Sequence, residues 1–456
     1  MKEKLTHWTT AFALAVVAAG CSKENAPAAT DGAKVGELQK QVANLRKELQ
    51  EAKRETGEPR VEVIETKVVV PGASTDSPEE VIQYLRSVDL KRVDQRNGNT
   101  DEHRIQVRQV IRQFEELTAM GGKALPAIKQ FFAEGLDKEF RENTNEIVSG
   151  NWSRGQVYLD PIFPPSLRMG LLNTVRHIGK REGAYLGEAE KVLLNVLDTT
   201  GRFVEVAYIA QALDDLAKDK HKDAYLKAAR ELLTGPIVDP TNETPVLDRQ
   251  NRWLLFELLR RNKDLVFVDK AKEQLVREIT RKNREGNEEQ VMIIDRAVQG
   301  YLTGVLGAKV MPIVSDLYNR PETNDSMRSQ LRQIAAGYMG VSEEANVIVN
   351  SRVTEAFSMI ATEGDAKEQQ DMRRRGRETA RYYLRRLGDG REIPVETLMS
   401  RQKFLSSLRA QTQDKELITW MDRTQQRLVD MGDPEKAKNL RREFDPRSDP
   451  NRGRQR

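Results

Sequence analysis

An eight-residue segment that occurs twice constrains the fold of this chain more than any other feature. Residues 121–128 and 307–314 share the order glycine, small residue, lysine, two apolar residues, proline and two apolar residues, with alanine at the first apolar position of the first copy. In both copies the proline falls in the first turn of an expected helix, where its missing amide N–H costs nothing. The repetition predicts that one helix–turn–helix unit is used more than once.

Between the two copies, apolar residues recur at helical spacing in paired segments. Residues 189–197 precede 203–213, and 225–233 precede 253–259, with glycine- or aspartate-containing turns between many of the segments. A short amphipathic helix cannot bury its apolar face alone, whereas a stacked pair can. We therefore predict an all-α fold of stacked helix pairs, an irregular α-solenoid, with no strand between the helices. The alternative is an irregular helical domain in which the proline-started helices coincide by chance.

These segments resemble HEAT-type or armadillo-like helical repeats. Leu125-Pro126 and Met311-Pro312 look like the start of a second repeat helix, and 198–212 looks like a turn that leads into a first one. The resemblance implies an extended surface suited to protein partners. A loop at 151–165 carries aromatic side chains that either bind such a partner or pack over a neighbouring helix end. The candidates in this loop are Trp152, Tyr158 and Phe163.

The N-terminus has the anatomy of a secretory signal, because a positively charged start precedes an apolar run at 11–19 and small residues. The run is shorter than the roughly 20 residues that span a bilayer. The segment that ends at Cys21 resembles the lipobox of bacterial lipoproteins, although Ala18 stands where that family usually has leucine. The resemblance implies that Cys21 is lipidated and anchors the chain to a membrane. The alternative is cleavage after Ala28, which would release a soluble exported protein.

The resemblance to lipoproteins also implies a location in the cell envelope. Ser22, rather than aspartate, follows the cysteine, which by the sorting rule of Gram-negative lipoproteins favours the outer membrane facing the periplasm.

Residues 35–52 carry an a/d heptad stripe of about three heptads, which predicts either a homo-oligomeric coiled coil or a lone amphipathic helix. The predicted organisation is as follows: signal peptide 1–20, lipidated tether and short coiled coil 21–57, extended linker 58–76, helical repeat domain 77–340, C-terminal helical region 341–444 and disordered tail 445–456.

Catalytic motifs are missing from the sequence. The four histidines have no metal-ligand spacing, the single cysteine is assigned to lipid, and no phosphate-binding loop or serine elbow is present. We therefore expect no enzyme activity, no cofactor and no metal. The net charge of +4, from 74 basic and 70 acidic residues, is not a nucleic-acid signature, and no nucleic-acid partner is predicted.

The strongest charge feature is a set of arginines on one helix near residue 380, accompanied by Tyr382 and Tyr383. Outside the cytoplasm these arginines either contact a partner or pair with neighbouring acids. The candidate partner-binding residues here are Arg373, Arg374, Arg377 and Arg381. The whole chain is interpreted as an envelope lipoprotein that serves as a protein-binding scaffold. The alternatives are an envelope enzyme that acts on cell-wall polymers with dispersed carboxylates, or a mechanical spacer.

Overall fold

The structure is a computed structural model, and it describes residues 77–90, 101–140, 164–238, 244, 246–282, 286–364, 366–389 and 393–437. The signal peptide, Cys21, the heptad stripe and the extended linker lie outside these residues, as do Trp152, Tyr158, Phe163 and the C-terminal tail. The predictions made for them remain predictions. The described residues belong to one compact unit, Thr75–Arg456.

Helix α1 (Pro78–Ser87) begins at a capping box. The Ser77 hydroxyl accepts a hydrogen bond from the amide of Glu80 at 3.2 Å, and the Ser77 amide donates to the Glu80 carboxylate at 2.7 Å. Pro78 occupies the first helical position. Two otherwise orphaned backbone donors are therefore satisfied at this end of the helix.

Helices then follow one another as far as a hairpin. Their bounds are α2 (Asp101–Met120), α3 (Leu125–Ala133), α4 (Leu167–Arg181), α5 (Leu186–Leu197), α6 (Phe203–Leu216), α7 (Lys222–Thr234), α8 (Arg252–Arg261) and α9 (Val268–Glu273). After the hairpin come α10 (Arg296–Leu306), α11 (Met311–Asn319) and α12 (Asp325–Ala336). The described part of the chain is thus mostly helical, as predicted.

These helices pack as two rows. In the first row α2 contacts α4, α4 contacts α6, α6 contacts α8 and α8 contacts α10; in the second row α3 contacts α5 and α5 contacts α7. Contacts near both ends of α4 and α6 give their direction. Arg168 meets Glu205 at the start of the two helices, and Lys180 meets Asp215 near their ends. Neighbours in the first row therefore run parallel, which places all turns from the first row to the second at one edge.

The core lies between the two rows. Its largest fully buried side chains include Tyr208, Tyr225, Phe256 and Tyr301. The rings of Phe256 and Tyr301 lie 5.8 Å apart, which joins α8 to α10 by aromatic contact. Burying one large apolar side chain stabilises a fold by about 1.5–3 kcal/mol. The stacked rows bury many such side chains between them, which a single helix of this length cannot do.

The two copies of the repeated segment adopt the same local structure. Each forms a 3-10 turn, Gly121–Ala124 or Gly307–Val310, followed by an α-helix with proline in its first turn. The first glycine has φ +60° in one copy and +57° in the other. Glycine is favoured there because L side chains are strained at positive φ. The predicted reuse of one helix–turn–helix unit is confirmed at this local level.

A β-hairpin contradicts the expectation that no strand separates the helices. Strands β1 (Val276–Lys282) and β2 (Glu288–Ile294) pair antiparallel, with Val276 opposite Ile294. Most of their side chains face solvent, so the apolar alternation that signals a strand is weak here. The hairpin is fixed at its base, where the amide of Asp295 donates to the carbonyl of Leu275 at 2.9 Å.

The predicted C-terminal helical region, 341–444, contains four helices in its described part. They are α13 (Glu343–Ile360), α14 (Lys367–Leu387), α15 (Val395–Arg409) and α16 (Lys415–Gly432). Of these, α13 and α14 pack along each other, and α14 also contacts α16. The hydroxyl of Ser342 accepts from the amide of Ala345 and thereby caps α13. Residues 438–444 of the region lie outside the described residues.

One stretch of the described chain has the length and composition of a membrane span, namely Arg296–Asn319. In the structure it is two helices, α10 and α11, separated by the 3-10 turn at Gly307. Tyr301 and Met311 from the two helices are buried in the core.

Candidate functional site

The predicted arginine cluster lies on α14, and its members make contacts within the chain. Arg377 donates to Asp414 at 2.9 Å and lies 3.3 Å from Glu416. Arg381 pairs with Glu416 and covers the ring of Trp420 at 5.5 Å. These contacts join α14 to the first turns of α16.

The other two arginine candidates are also engaged. Arg374 lies 3.2 Å from Asp371 one turn earlier, and Arg373 donates to the carbonyls of Thr362 and Gly364 at 3.1 and 2.8 Å. The structure therefore brings all four candidates onto one helix and gives each an intramolecular contact. This geometry fits the alternative in which the arginines pair with neighbouring groups, and their role in partner binding remains a prediction.

Electrostatics around Asp414 follow from these pairs. Burial alone would raise the pKa of Asp414, but hydrogen bonds from the Leu417 amide and the Arg377 guanidinium lower it overall. The carboxylate also caps α16 by accepting from Leu417 at 2.9 Å. Its charge is thus committed to holding α14 and α16 together.

A second charged site is an ionic network at the edge where the second row returns to the first. Arg168 at the start of α4 donates two hydrogen bonds to Glu205 on α6, at 2.8 and 2.9 Å. The Thr200 hydroxyl adds a third at 2.7 Å. Glu205 is fully buried and Arg168 nearly so. A buried charge is tolerated only when it is paired and hydrogen-bonded in this way.

Arg202 extends the network to two further loops. Its guanidinium pairs with Asp137, which follows α3, and with Asp248, which precedes α8, and it lies 3.4 Å from Glu205. The network therefore connects the ends of elements that are far apart in sequence. We call this set, made of Asp137, Arg168, Arg202, Glu205 and Asp248, the ionic network.

The pKa shifts in and around the ionic network are those of a structural site. Burial would raise the pKa of Glu205, but the hydrogen bond and charge of Arg168 outweigh it and lower the pKa. Burial and the nearby Asp137 and Asp248 raise the pKa of Glu139, which lies on the exposed side of the loop. The buried carboxylate of Glu205 is therefore held charged, and the network acts as an ionic connection between loops.

An apolar groove lies between β2 and the helices α11 and α12, with a volume of 730 Å³. The side chain of Asn324 donates to the carbonyl of Met292 at 3.2 Å, which fixes one side of β2 against α12. Met292 itself is 38% exposed. Apolar side chains and charges of both signs line it. The apolar lining consists of Val276, Met292, Pro312, Ile313, Leu317 and Met327, and the charged lining includes Lys272, Glu273, Asp316, Arg320 and Glu322.

Sequence reasoning missed this groove because it missed the hairpin that forms one wall. The only local signal was the presence of the β-branched residues Val276, Ile279 and Thr280, and these do not alternate with the charged residues as a half-exposed strand would. Within the described residues, no group of three or more histidine, cysteine, aspartate or glutamate side chains is arranged to hold a metal ion.

Comparison with known proteins finds no protein-family model that matches the chain and no similar sequence among curated proteins. The functional argument therefore depends on the geometry described above.

Proposed function

We propose that this chain is a lipid-anchored scaffold protein of a bacterial cell envelope, with a body that is an irregular α-solenoid of HEAT-like helix pairs. The observation that carries the proposal is the continuous first row, in which α2, α4, α6, α8 and α10 contact one another in order. Repeated helix pairs of this kind form extended surfaces on which a partner can lie. The lipobox-like segment at Cys21 supplies the anchor.

The groove between β2 and α11 is the surface proposed to hold the partner. The apolar lining, which includes Met292 and Ile313, suits an apolar segment of a protein, because apolar burial supplies affinity and the charged lining residues supply specificity. Methionine adapts its shape to different partners. The occupant we propose is therefore an apolar peptide segment of another envelope protein.

The anchor is tested by growing cells with labelled palmitate and isolating the chain. The wild-type chain should carry the label in the membrane fraction, and Cys21→Ser should carry none. Recovery of unlabelled wild-type protein that begins after Ala28 would show that an ordinary signal peptidase processes it, and would remove the anchor.

The groove is tested by placing a photoreactive benzoylphenylalanine at position 292 and irradiating intact cells. We expect a protein adduct that Ile313→Asp abolishes. A matched probe at Val429, which is 47% exposed on α16, should give no such adduct. Identical adducts from both positions would overturn the proposed groove, and a glycan adduct would favour an enzyme that acts on cell-wall polymers.

A further inference from the structure

The turns that lead from the first row to the second carry exposed cations. These turns meet at one edge, because neighbours in the first row are parallel. Direct contacts confirm it: Gly122 packs against the ring of Tyr185 in the next turn, and Gly304 packs against Arg260 near the end of α8. We call this edge the basic edge. Its exposed cations are Lys123, Lys180, Arg181, Lys218, Lys220, Arg261, Lys263 and Lys309.

Most of these cations have no acidic partner. Lys220 pairs with Glu190 at 2.6 Å, and Lys180 pairs with Asp215 at 2.9 Å. Within the described residues, the remaining cations of the basic edge have no carboxylate within ion-pair distance. The acids of the same turns and helix ends are fewer than the cations, and Asp264 among them is buried and paired with Arg230. These acids are Glu182, Asp214, Asp215, Asp219 and Asp264. The edge therefore presents a net positive charge to solvent.

Helix dipoles account for part of this pattern. A cation near a helix C-terminus is favourable, which suits Arg181 and Arg261 at the ends of α4 and α8. Lys123 and Lys309 lie between two helices, after the C-termini of α2 and α10 and directly before the N-termini of α3 and α11. The dipoles of the two adjoining helices therefore oppose each other at these lysines.

Two exposed apolar side chains extend from the same edge. Leu265 and Val266 are 63% and 76% exposed, directly after Lys263. Asp264 fixes this loop, because its carboxylate accepts from the Phe267 amide at 3.2 Å and its carbonyl accepts from the Tyr301 hydroxyl at 2.6 Å. The loop therefore presents its apolar pair on a rigid support.

From this combination we propose that the basic edge binds an anionic lipid surface, with Leu265 and Val266 inserted among the headgroups. Packed helices lie about 8–10 Å apart, so the successive turns offer a row of cations at a spacing that several headgroups can match. Interfacial binding combines buried apolar area with attraction to anionic lipids. The inference depends on the proposed location outside the cytoplasm beside a membrane. Binding through this edge would orient the basic edge of the body toward that membrane.

The test uses the full chain with Cys21→Ser, so that lipidation makes no contribution. The probes are vesicles of phosphatidylglycerol mixed with phosphatidylcholine, with pure phosphatidylcholine vesicles for comparison. A basic residue near an anionic surface contributes roughly fivefold to binding. The triple variant Lys218→Gln, Lys263→Gln and Lys309→Gln should therefore bind the mixed vesicles on the order of 100-fold more weakly. Residues 1–20 are common to all variants, so differences between variants report on the edge.

A matched control neutralises three exposed lysines on the second row, Lys129, Lys191 and Lys227, and should bind like the parent chain. The double variant Leu265→Ser and Val266→Ser should weaken binding to mixed vesicles and keep the circular dichroism spectrum unchanged.

Equal losses in the triple variant and its control would overturn the proposal, as would equal binding to both kinds of vesicle. Binding to soluble polyglutamate but not to vesicles would also overturn it, in favour of an acidic protein. Palmitate labelling of Cys21 is a separate measurement, so failure here leaves the anchor result standing.

Discussion

The two edges of the helix rows hold their charges in opposite ways. At the edge with the ionic network, Arg168 and Arg202 are paired with carboxylates, and the buried pair of Arg168 with Glu205 connects α4 to α6. At the basic edge the turns are held by close packing, as between Gly122 and Tyr185, while most exposed cations have no acidic partner. The comparison teaches that charge serves stability at one edge and is available for binding at the other.

The largest expected effect comes from breaking the buried pair. Arg168→Met should lower the free energy of unfolding by about 3–5 kcal/mol, because it leaves the Glu205 carboxylate buried without its main partner. The double variant Arg168→Met and Glu205→Leu should recover most of the loss, since an apolar pair of similar volume has no charge to desolvate. Urea denaturation measures both, and a double variant less stable than the single would contradict this account of the network.

The next effect is the acid sensitivity of the same edge. The pKa of Glu205 is lower in the folded chain than its usual value, so its contribution to stability is present above the unfolded-state pKa. That contribution is lost as the pH falls through the folded-state pKa. The unfolding free energy of the wild type should therefore fall more steeply between neutral and acidic pH than that of the double variant. Parallel pH profiles would exclude Glu205 as a source of acid sensitivity.

A smaller effect separates the two copies of the repeated turn at the basic edge. Gly122 has no room for a methyl group because the Tyr185 ring lies against it, whereas the second copy has Ala308 at the matching position. Gly122→Ala should lower the unfolding free energy by about 1–3 kcal/mol through overpacking. Ala308→Gly should cost about 0.5–1 kcal/mol, through the backbone entropy of glycine alone. Thermal denaturation of the two variants should rank them in that order.

The smallest effect is expected for the exposed cations. Each of Lys218→Gln, Lys263→Gln and Lys309→Gln should change the unfolding free energy by less than about 0.5 kcal/mol, because surface charges without partners add little to stability. Urea denaturation at low and high salt tests this. A loss as large as that of Arg168→Met would mean that the basic edge is structural after all, and the comparison between the edges would fail.

Helix positions were largely predictable because they depend on local signals. The proline-started helices α3 and α11 were evident from neighbouring residues, and the predicted C-terminal region 341–444 contains four helices in its described part. The hairpin was not predicted, since its strands keep few buried side chains and owe their place to contacts with α12. The groove depends on that hairpin, so it could not be predicted either.

Local sequence by itself determined that this chain forms short amphipathic helices punctuated by glycine and proline, because capping, periodicity and backbone restrictions act within a few residues. Only the tertiary structure decided which charges meet. Arg168 and Glu205 lie 37 positions apart, and Lys123 and Lys309 share an edge only because the helices of the first row run parallel. Pairing in space depends on the stacking of whole helices, and no local pattern encodes it.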